Sequence, residues 1–241
     1  MVSKDKKLWD YYQNNQWDGV RFHLSQNYPR QNSILECVKK YISKRGGEKN
    51  ILEIWFWDWY LLNQLALNGY NVTWQDLSDV NIEQTKKQRK NDKIKFILWD
   101  DSWKIFADDE SLDWFIASEV LEHMSDEELQ ICISEIYRCL KPWWYAFITF
   151  PCRERLEDNF CICPECWTSF HRRWHKQRWD REKIDGAFKN FKIIKVKERF
   201  YRYPGNNKIE MLIWLIIFYI KLFMNIFINI EHKIYFLVLQ K

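Results

Sequence analysis

The chain is short of glycine, with six in 241 residues, where average usage of roughly 7% predicts well over twice as many. A soluble domain of this length needs more turn glycines than that, because glycine alone adopts left-handed backbone without a steric penalty. Also missing is any block of one charge. Lys+Arg 37 against Asp+Glu 33 gives a net charge of +4, and the charges are scattered, which argues against a nucleic-acid groove. No internal repeat is evident. The N-terminal stretch MVSKDKKLWDYYQNNQ lacks the apolar segment and small-residue cleavage site of a secretory signal, so a cytoplasmic location is expected. The seven cysteines are then expected as thiols or metal ligands rather than a disulfide framework.

What is present is apolar mass: 47% of residues are hydrophobic, enough for one sizeable core and one main domain. Residues 1–48 read as a polar helical extension, with Ile34, Val38 and Ile42 spaced as the buried face of an amphipathic helix. Residues 49–151 alternate. Apolar runs at Ile51–Trp55, Asn71–Leu77, Ile94–Leu98, Leu112–Ser118 and Tyr145–Pro151 are separated by helical patterns at Tyr60–Leu67, Asn81–Lys90 and Ser125–Leu140. Asn68-Gly69 closes the first of these helices, and Ser125 with Glu128 has the capping-box spacing that opens the last. Such alternation predicts βαβ units in a Rossmann-like, doubly wound α/β fold. Residues 152–180 are dense in Cys, His and Arg and read as an insertion. In 181–241 a helix at Arg181–Phe188 precedes two long strands, Phe191–Tyr201 and Lys233–Leu239, which predict an antiparallel closing hairpin and bring the sheet to seven strands.

Tryptophan is in excess, at fifteen, and its placement is as unusual as its number. Trp55, Trp57 and Trp59 fill the turn after the first strand, in LEIWFWDWYLL. In an open α/β sheet this turn approaches the ligand with its backbone and needs its smallest residues. With glycine at those three positions the stretch reads LEIGFGDGYLL and resembles motif I, E-x-G-x-G-x-G, of the class I S-adenosylmethionine (SAM) methyltransferases. Glycine at Trp74, Trp99, Trp143 and Trp144 extends the resemblance, giving NVTGQDLS, FILGDD and LKPGGYAFITFP. The segments LKPWWYAFITF and ASEVLEHM belong to the same likeness, which covers roughly residues 35–150. A UGA codon is read as glycine in some bacterial codes and as tryptophan in others, so the expectation is that most of these tryptophans stand for glycines. Converting those positions together with Trp167 and Trp174 would leave six tryptophans and fifteen glycines, close to ordinary usage. Trp9 and Trp179 read as genuine, whereas Trp17, Trp103, Trp114 and Trp214 are left unassigned.

The resemblance implies a cofactor site. Glu53 would end the first strand beneath the loop, and the backbone of Trp55, Phe56, Trp57 and Trp59 would cradle the methionine end of SAM. Asp76, followed by Leu77, would meet the ribose hydroxyls, and Asp100 with Asp101 the adenine amino group. An Asp at a strand end is also a common turn or helix cap. Ser118, Glu119 and His123 would lie over the reaction centre, with His123 or Glu119 as a base if the acceptor arrives protonated. An equal reading has His123 satisfying a backbone carbonyl.

In CICPECWTSFHRRWH, Cys163, Cys166, His171 and His175 have the number and spacing of a closed zinc site, with Pro164 fitting a knuckle turn. The alternatives are a lid in which His171, Arg172, Arg173 and His175 contact an anionic group, or a basic loop with reduced thiols. Cys161 is a spare ligand, and Cys37, Cys132, Cys139 and Cys152 read as core thiols. Residues 209–230 form an apolar segment in which Lys221, Asn225 and Asn229 line one face. That pattern suits a helix packed on the domain, on a partner subunit or on a membrane surface better than one spanning a bilayer.

The function expected is SAM-dependent methyl transfer to a small-molecule or lipid-linked acceptor, with no nucleic-acid partner, in the cytoplasm or at the membrane periphery. The competing class is non-catalytic: a methyltransferase fold silenced by genuine tryptophans, or a zinc-stabilised interaction module. A dinucleotide oxidoreductase shares a glycine loop but fits the later segments less well.

Overall fold

The computed structural model describes residues 24–42, 49–54, 60–88, 93–100, 102–162, 167–199, 212–213, 215–217, 219–220, 223 and 233–241. Helix α1 (Leu24–Ile42) leads into β1 (Asn50–Ile54), α2 (Tyr60–Leu67), β2 (Asn71–Asp76), α3 (Asp79–Gln88), β3 (Ile94–Leu98) and β4 (Leu112–Ser118). There follow α4 (Asp126–Cys139), β5 (Leu140–Pro151), the short strands β6 (Phe160–Ile162) and β7 (Ser169–His171), α5 (Arg181–Ala187), β8 (Lys192–Arg199) and β9 (Ile234–Gln240). The seven-stranded sheet runs β3-β2-β1-β4-β5-β9-β8. Its first five strands are parallel, and β9 enters antiparallel between β5 and β8. The fold is therefore the doubly wound α/β sheet with an antiparallel closing pair that the alternation predicts.

The reason these segments make this sheet is burial on both faces, which parallel strands require. Every residue of β4 is buried. Side chains alternate between two core layers, as a period of two demands. Leu52, Ile54, Phe115, Ala117, Ile148, Phe150 and Leu237 pack on the α4 and α5 side; Ile51, Trp114, Ile116, Phe147, Phe236 and Val238 pack on the α1 and α2 side. Ile34 and Val38 of α1 are fully buried in this second layer, whereas the Ile42 side chain lies outside the described residues. Ser125 and Glu128 close the capping box of α4 as the spacing predicts, a cap worth about 1 kcal/mol.

Most boundaries shift by one or two residues, and one by more. The fifth strand begins at Leu140 rather than Tyr145, because the backbone groups at its start find partners in the chain terminus: Trp143 N donates to Lys241 O and Lys241 N to Trp144 O, each at 3.0 Å. Pro142 therefore interrupts nothing, and the kink is taken up at Trp143, whose φ is 70°. Trp103, Trp167 and Trp174 also have left-handed backbone, with φ of 59°, 55° and 61°, the region that bulky residues avoid. Gly69, at the end of α2, is left-handed too, with φ of 89°, and there a glycine does cap the helix as expected.

The 152–180 segment is more ordered than a loop. A short 3-10 turn at Leu156–Asn159 precedes the β6–β7 hairpin. The described residues within 209–230 are helical, with Leu212, Ile216, Tyr219, Ile220 and Phe223 more than half exposed. Lys221, Asn225 and Asn229 lie outside the described residues. Among the described residues no helix is long and apolar enough to cross a membrane.

Candidate active site

Strand order reverses between β1 and β4, so the carboxyl ends of these strands open on the crevice where such sheets take ligands. Two carboxylates stand there on adjacent strands: Glu53 near the end of β1 and Asp76 at the end of β2, both fully buried. Asp76 Oδ1 accepts the backbone N–H of Ser78 at 2.8 Å, which turns the chain toward α3 and fixes the carboxylate at the rim. Leu77 packs against the core below. Asp100 is exposed and accepts from the Ser102 backbone N–H at 3.0 Å and from its hydroxyl. These bonds hold its carboxyl below the usual range. It is thus a turn cap in this conformation, at the end of β3 where a ligand contact was expected. Trp55, Phe56, Trp57, Trp59 and Asp101 lie outside the described residues.

At the end of β4, Ser118 is buried and its hydroxyl lies 3.0 Å from that of Thr149. Glu119 has left-handed backbone, φ 58°, and donates its N–H to Thr149 O at 2.9 Å. Such backbone costs a non-glycine residue about 1–3 kcal/mol, which the surrounding structure must offset. The chain then turns through a buried 3-10 segment, Leu121–His123, that carries Glu122 and His123 inward.

The Cys/His-rich segment docks on this turn. Lys176 N and Gln177 N donate to Glu122 O at 2.7 and 3.0 Å, and Gln177 Nε2 donates to Met124 O at 2.7 Å. His175 thereby comes edge-on to His123, with ring centroids 4.8 Å apart, and His171 stacks on His175 at 5.0 Å. Glu154 accepts from His175 Nδ1, and its other oxygen lies 3.7 Å from His171 Nε2. Burial would raise the Glu154 carboxyl, but the hydrogen bond and charge of His175 outweigh it and hold the group lowered, as a carboxylate. Burial first, then the neighbouring His175, keep His123 well below the ordinary histidine range. The same two causes lower His171.

Of the residues expected to bind zinc, His171 and His175 are brought together. His171 Nδ1 accepts the backbone N–H groups of Arg173 and His175 at 3.2 and 3.1 Å. Cys163 and Cys166 lie outside the described residues. Sequence reasoning missed Glu122 and Glu154. The first was legible in the E-x-x-E-H spacing of Glu119, Glu122 and His123. The second had no signal, since only the docking of the insertion brings it to His175.

Residues 60–147 match the family described as methyltransferase domain. No curated protein matches the chain. Among solved structures, a SAM-dependent methyltransferase from Archaeoglobus fulgidus is 19% identical with a TM-score of 0.58, over 92% of this chain and all of that one. A second, from Mesorhizobium loti, is 13% identical with a TM-score of 0.62, over 93% and 99% of the two chains. A phosphoethanolamine N-methyltransferase from Haemonchus contortus, in complex with SAM, is 16% identical with a TM-score of 0.55, over 87% of this chain and 52% of that one. At such identities the likeness is one of fold. Residues 60–147 therefore resemble a methyltransferase domain, and the chain shares the fold of these solved structures.

Proposed function

We propose that the protein is a SAM-dependent methyltransferase acting on a small-molecule or lipid-linked acceptor, and that tryptophans at its glycine positions stand where the working sequence has glycine. The observation that carries the first part is the pair of buried carboxylates, Glu53 and Asp76, on adjacent strand ends by the sheet's switch point, Asp76 inside and Glu53 just before the stretch, residues 60–147, that matches a methyltransferase domain. A ribose diol offers two hydroxyl donors, and a carboxylate fixed at a strand end is a matching acceptor. Glu53, the backbone of residues 55–59, Asp76, Leu77, Asp100, Asp101 and Ser118 are the residues we assign to the cofactor. When bound, SAM supplies an electrophilic methyl group. These residues would hold it with that methyl facing the acceptor, and any proton the acceptor carries would pass to a base. His123, kept neutral by burial, or Glu119 would receive it. The remaining contribution of the protein is orientation and exclusion of water.

The left-handed backbone at Trp143, Trp167 and Trp174 supports the second part, since those are three of the positions where glycine was expected. Trp103 joins them on the same ground. Three indoles at 55, 57 and 59 would occupy the space in which a backbone must approach the methionine and ribose of SAM. The test is paired calorimetric titration of SAM into the chain as written and into a version with glycine at Trp55, Trp57, Trp59, Trp74, Trp99, Trp143, Trp144, Trp167 and Trp174. Binding by the glycine version alone is expected. Binding by neither would favour the non-catalytic reading, and binding by both would remove the argument from the indoles.

A further inference from the structure

The histidine and carboxylate cluster has an internal order that the functional reading does not use. His171 Nδ1 accepts two backbone N–H groups, so the proton of its neutral ring sits on Nε2, the nitrogen facing Glu154. A protonated nitrogen does not bind a metal. Glu154 in turn is committed to His175 Nδ1. Glu154, His171 and His175 are therefore a hydrogen-bonded support rather than a metal cage, and they have one evident product: a His175 ring whose Nδ1–H is tied to a carboxylate and whose Nε2 lone pair is aimed elsewhere. That is the carboxylate–histidine arrangement that stands behind a metal ligand.

One donor atom each from Glu122, His123 and His175 lie within 4.8 Å of one another, and all three residues are buried. Ligand atoms around an ion at ~2.1 Å lie ~3.4 Å apart in tetrahedral geometry, so closure needs the donor atoms to draw together by up to about 1.4 Å. His123 carries the second mark of a ligand, a hydrogen bond from its ring to the backbone of Trp174.

We propose that Glu122, His123 and His175 bind a divalent first-row transition-metal ion at the carboxyl end of β4, with Glu154 and His171 orienting His175. Three protein ligands leave coordination positions open. Resting on the methyltransferase reading, the acceptor is then a hydroxylated compound whose oxygen occupies an open position beside the methyl donor. Coordination lowers the pKa of a bound oxygen acid; with His123 on the ion, Glu119, the other candidate base, would take the acceptor's proton and leave that oxygen as the nucleophile. This ligand set leaves Cys163 and Cys166 outside the metal site.

The experiment uses the full chain, with Co2+ as the spectroscopic probe and Zn2+ for stoichiometry by elemental analysis. One equivalent of either ion is expected, with cobalt d–d absorption and no thiolate-to-cobalt charge-transfer band. Glu122→Gln, His123→Ala and His175→Ala should each abolish tight binding. Glu154→Gln should weaken it about 10–100-fold at unchanged stoichiometry, and the Cys163→Ser/Cys166→Ser double variant should bind as the parent does. A thiolate band, or loss of metal in the cysteine variant, would overturn the assignment in favour of a cysteine-containing knuckle. Absence of binding by the parent chain would overturn it outright. The parent spectrum does not depend on whether a buried variant folds. SAM titration is read separately on the version with glycine at the nine positions, so metal binding without SAM binding there would sink the methyltransferase reading and leave the site.

Discussion

Trp114 and Trp143 sit on neighbouring strands of one sheet, and they meet opposite constraints. Trp114, in β4, is fully buried; its ring stacks on Tyr145 with centroids 5.3 Å apart and tilts against Tyr41 at 6.3 Å. Its backbone is parallel strand paired with β1 and β5, next to a register shift between Leu112 and Trp114. Trp143 is 68% exposed and has left-handed backbone, φ 70°. In one case the fold has built a space for the indole; in the other the backbone takes a conformation that favours glycine while the side chain is an indole. The difference teaches that side-chain volume is negotiable in a sheet, through the neighbours that pack on it, whereas backbone handedness is not, because the clash lies within the residue itself. Gly69, in the same region of backbone space, meets no such clash.

The sharpest way to break this comparison is to truncate the buried indoles. Trp114→Ala should cost about 3–5 kcal/mol, the range for deleting a large core aromatic. Trp179→Ala should cost a similar amount, since its ring stacks on Phe150 at 4.1 Å and on Phe188 at 6.0 Å. Urea unfolding midpoints at unchanged slope are the measure. A loss well below that range at Trp114 would mean that its pocket collapses readily, and that the indole is a lodger there rather than a structural member.

Next in size come the exposed turn positions, where the sign reverses. Trp143→Gly and Trp167→Gly each remove an unfavourable left-handed side chain worth roughly 1–2 kcal/mol. Little packing is lost, since Trp167 is 80% exposed. Each should raise the unfolding midpoint by about 2–4 °C per kcal/mol for a chain of this size. Trp174→Gly should gain less, because its ring stacks on Phe170 at 5.5 Å. Destabilisation at Trp143 and Trp167 alike would erase the distinction between the two groups of tryptophan.

The same contrast explains what could be read in advance. Strands β3 and β4 were legible to the residue, and the α4 capping box likewise, because their signals are local: apolar runs and a Ser–Glu spacing of three. The start of β5 was not, since it depends on the chain terminus reaching Trp143 and Trp144. The strand-end carboxylates Glu53 and Asp76 were named through the family resemblance, and they stand together because β1 and β2 are neighbours in the sheet. Glu154 was invisible because its partner, His175, reaches it only when residues 174–177 fold back on Glu122 and Met124. Asp100 shows the opposite case. A local rule, the turn cap by Ser102, describes it in this conformation, where the resemblance expected a ligand contact.

The smallest effect separates the two constraints within one residue. Trp103 has both: left-handed backbone with φ of 59° and an edge contact with Trp99 at 5.1 Å. Such an aromatic pair is worth about 0.5–1.5 kcal/mol, close to what the backbone region costs. Trp103→Gly loses the contact and relieves the backbone, so its net change in stability should lie near zero. Trp103→Ala loses the contact and keeps the strain, so it should be destabilised by about 1 kcal/mol, and the gap between the two variants isolates the backbone contribution. Equal stability of the alanine and glycine variants would mean that the left-handed position carries no cost at this site. Trp103 would then belong with Trp114, as an indole held by its surroundings, and not with Trp143.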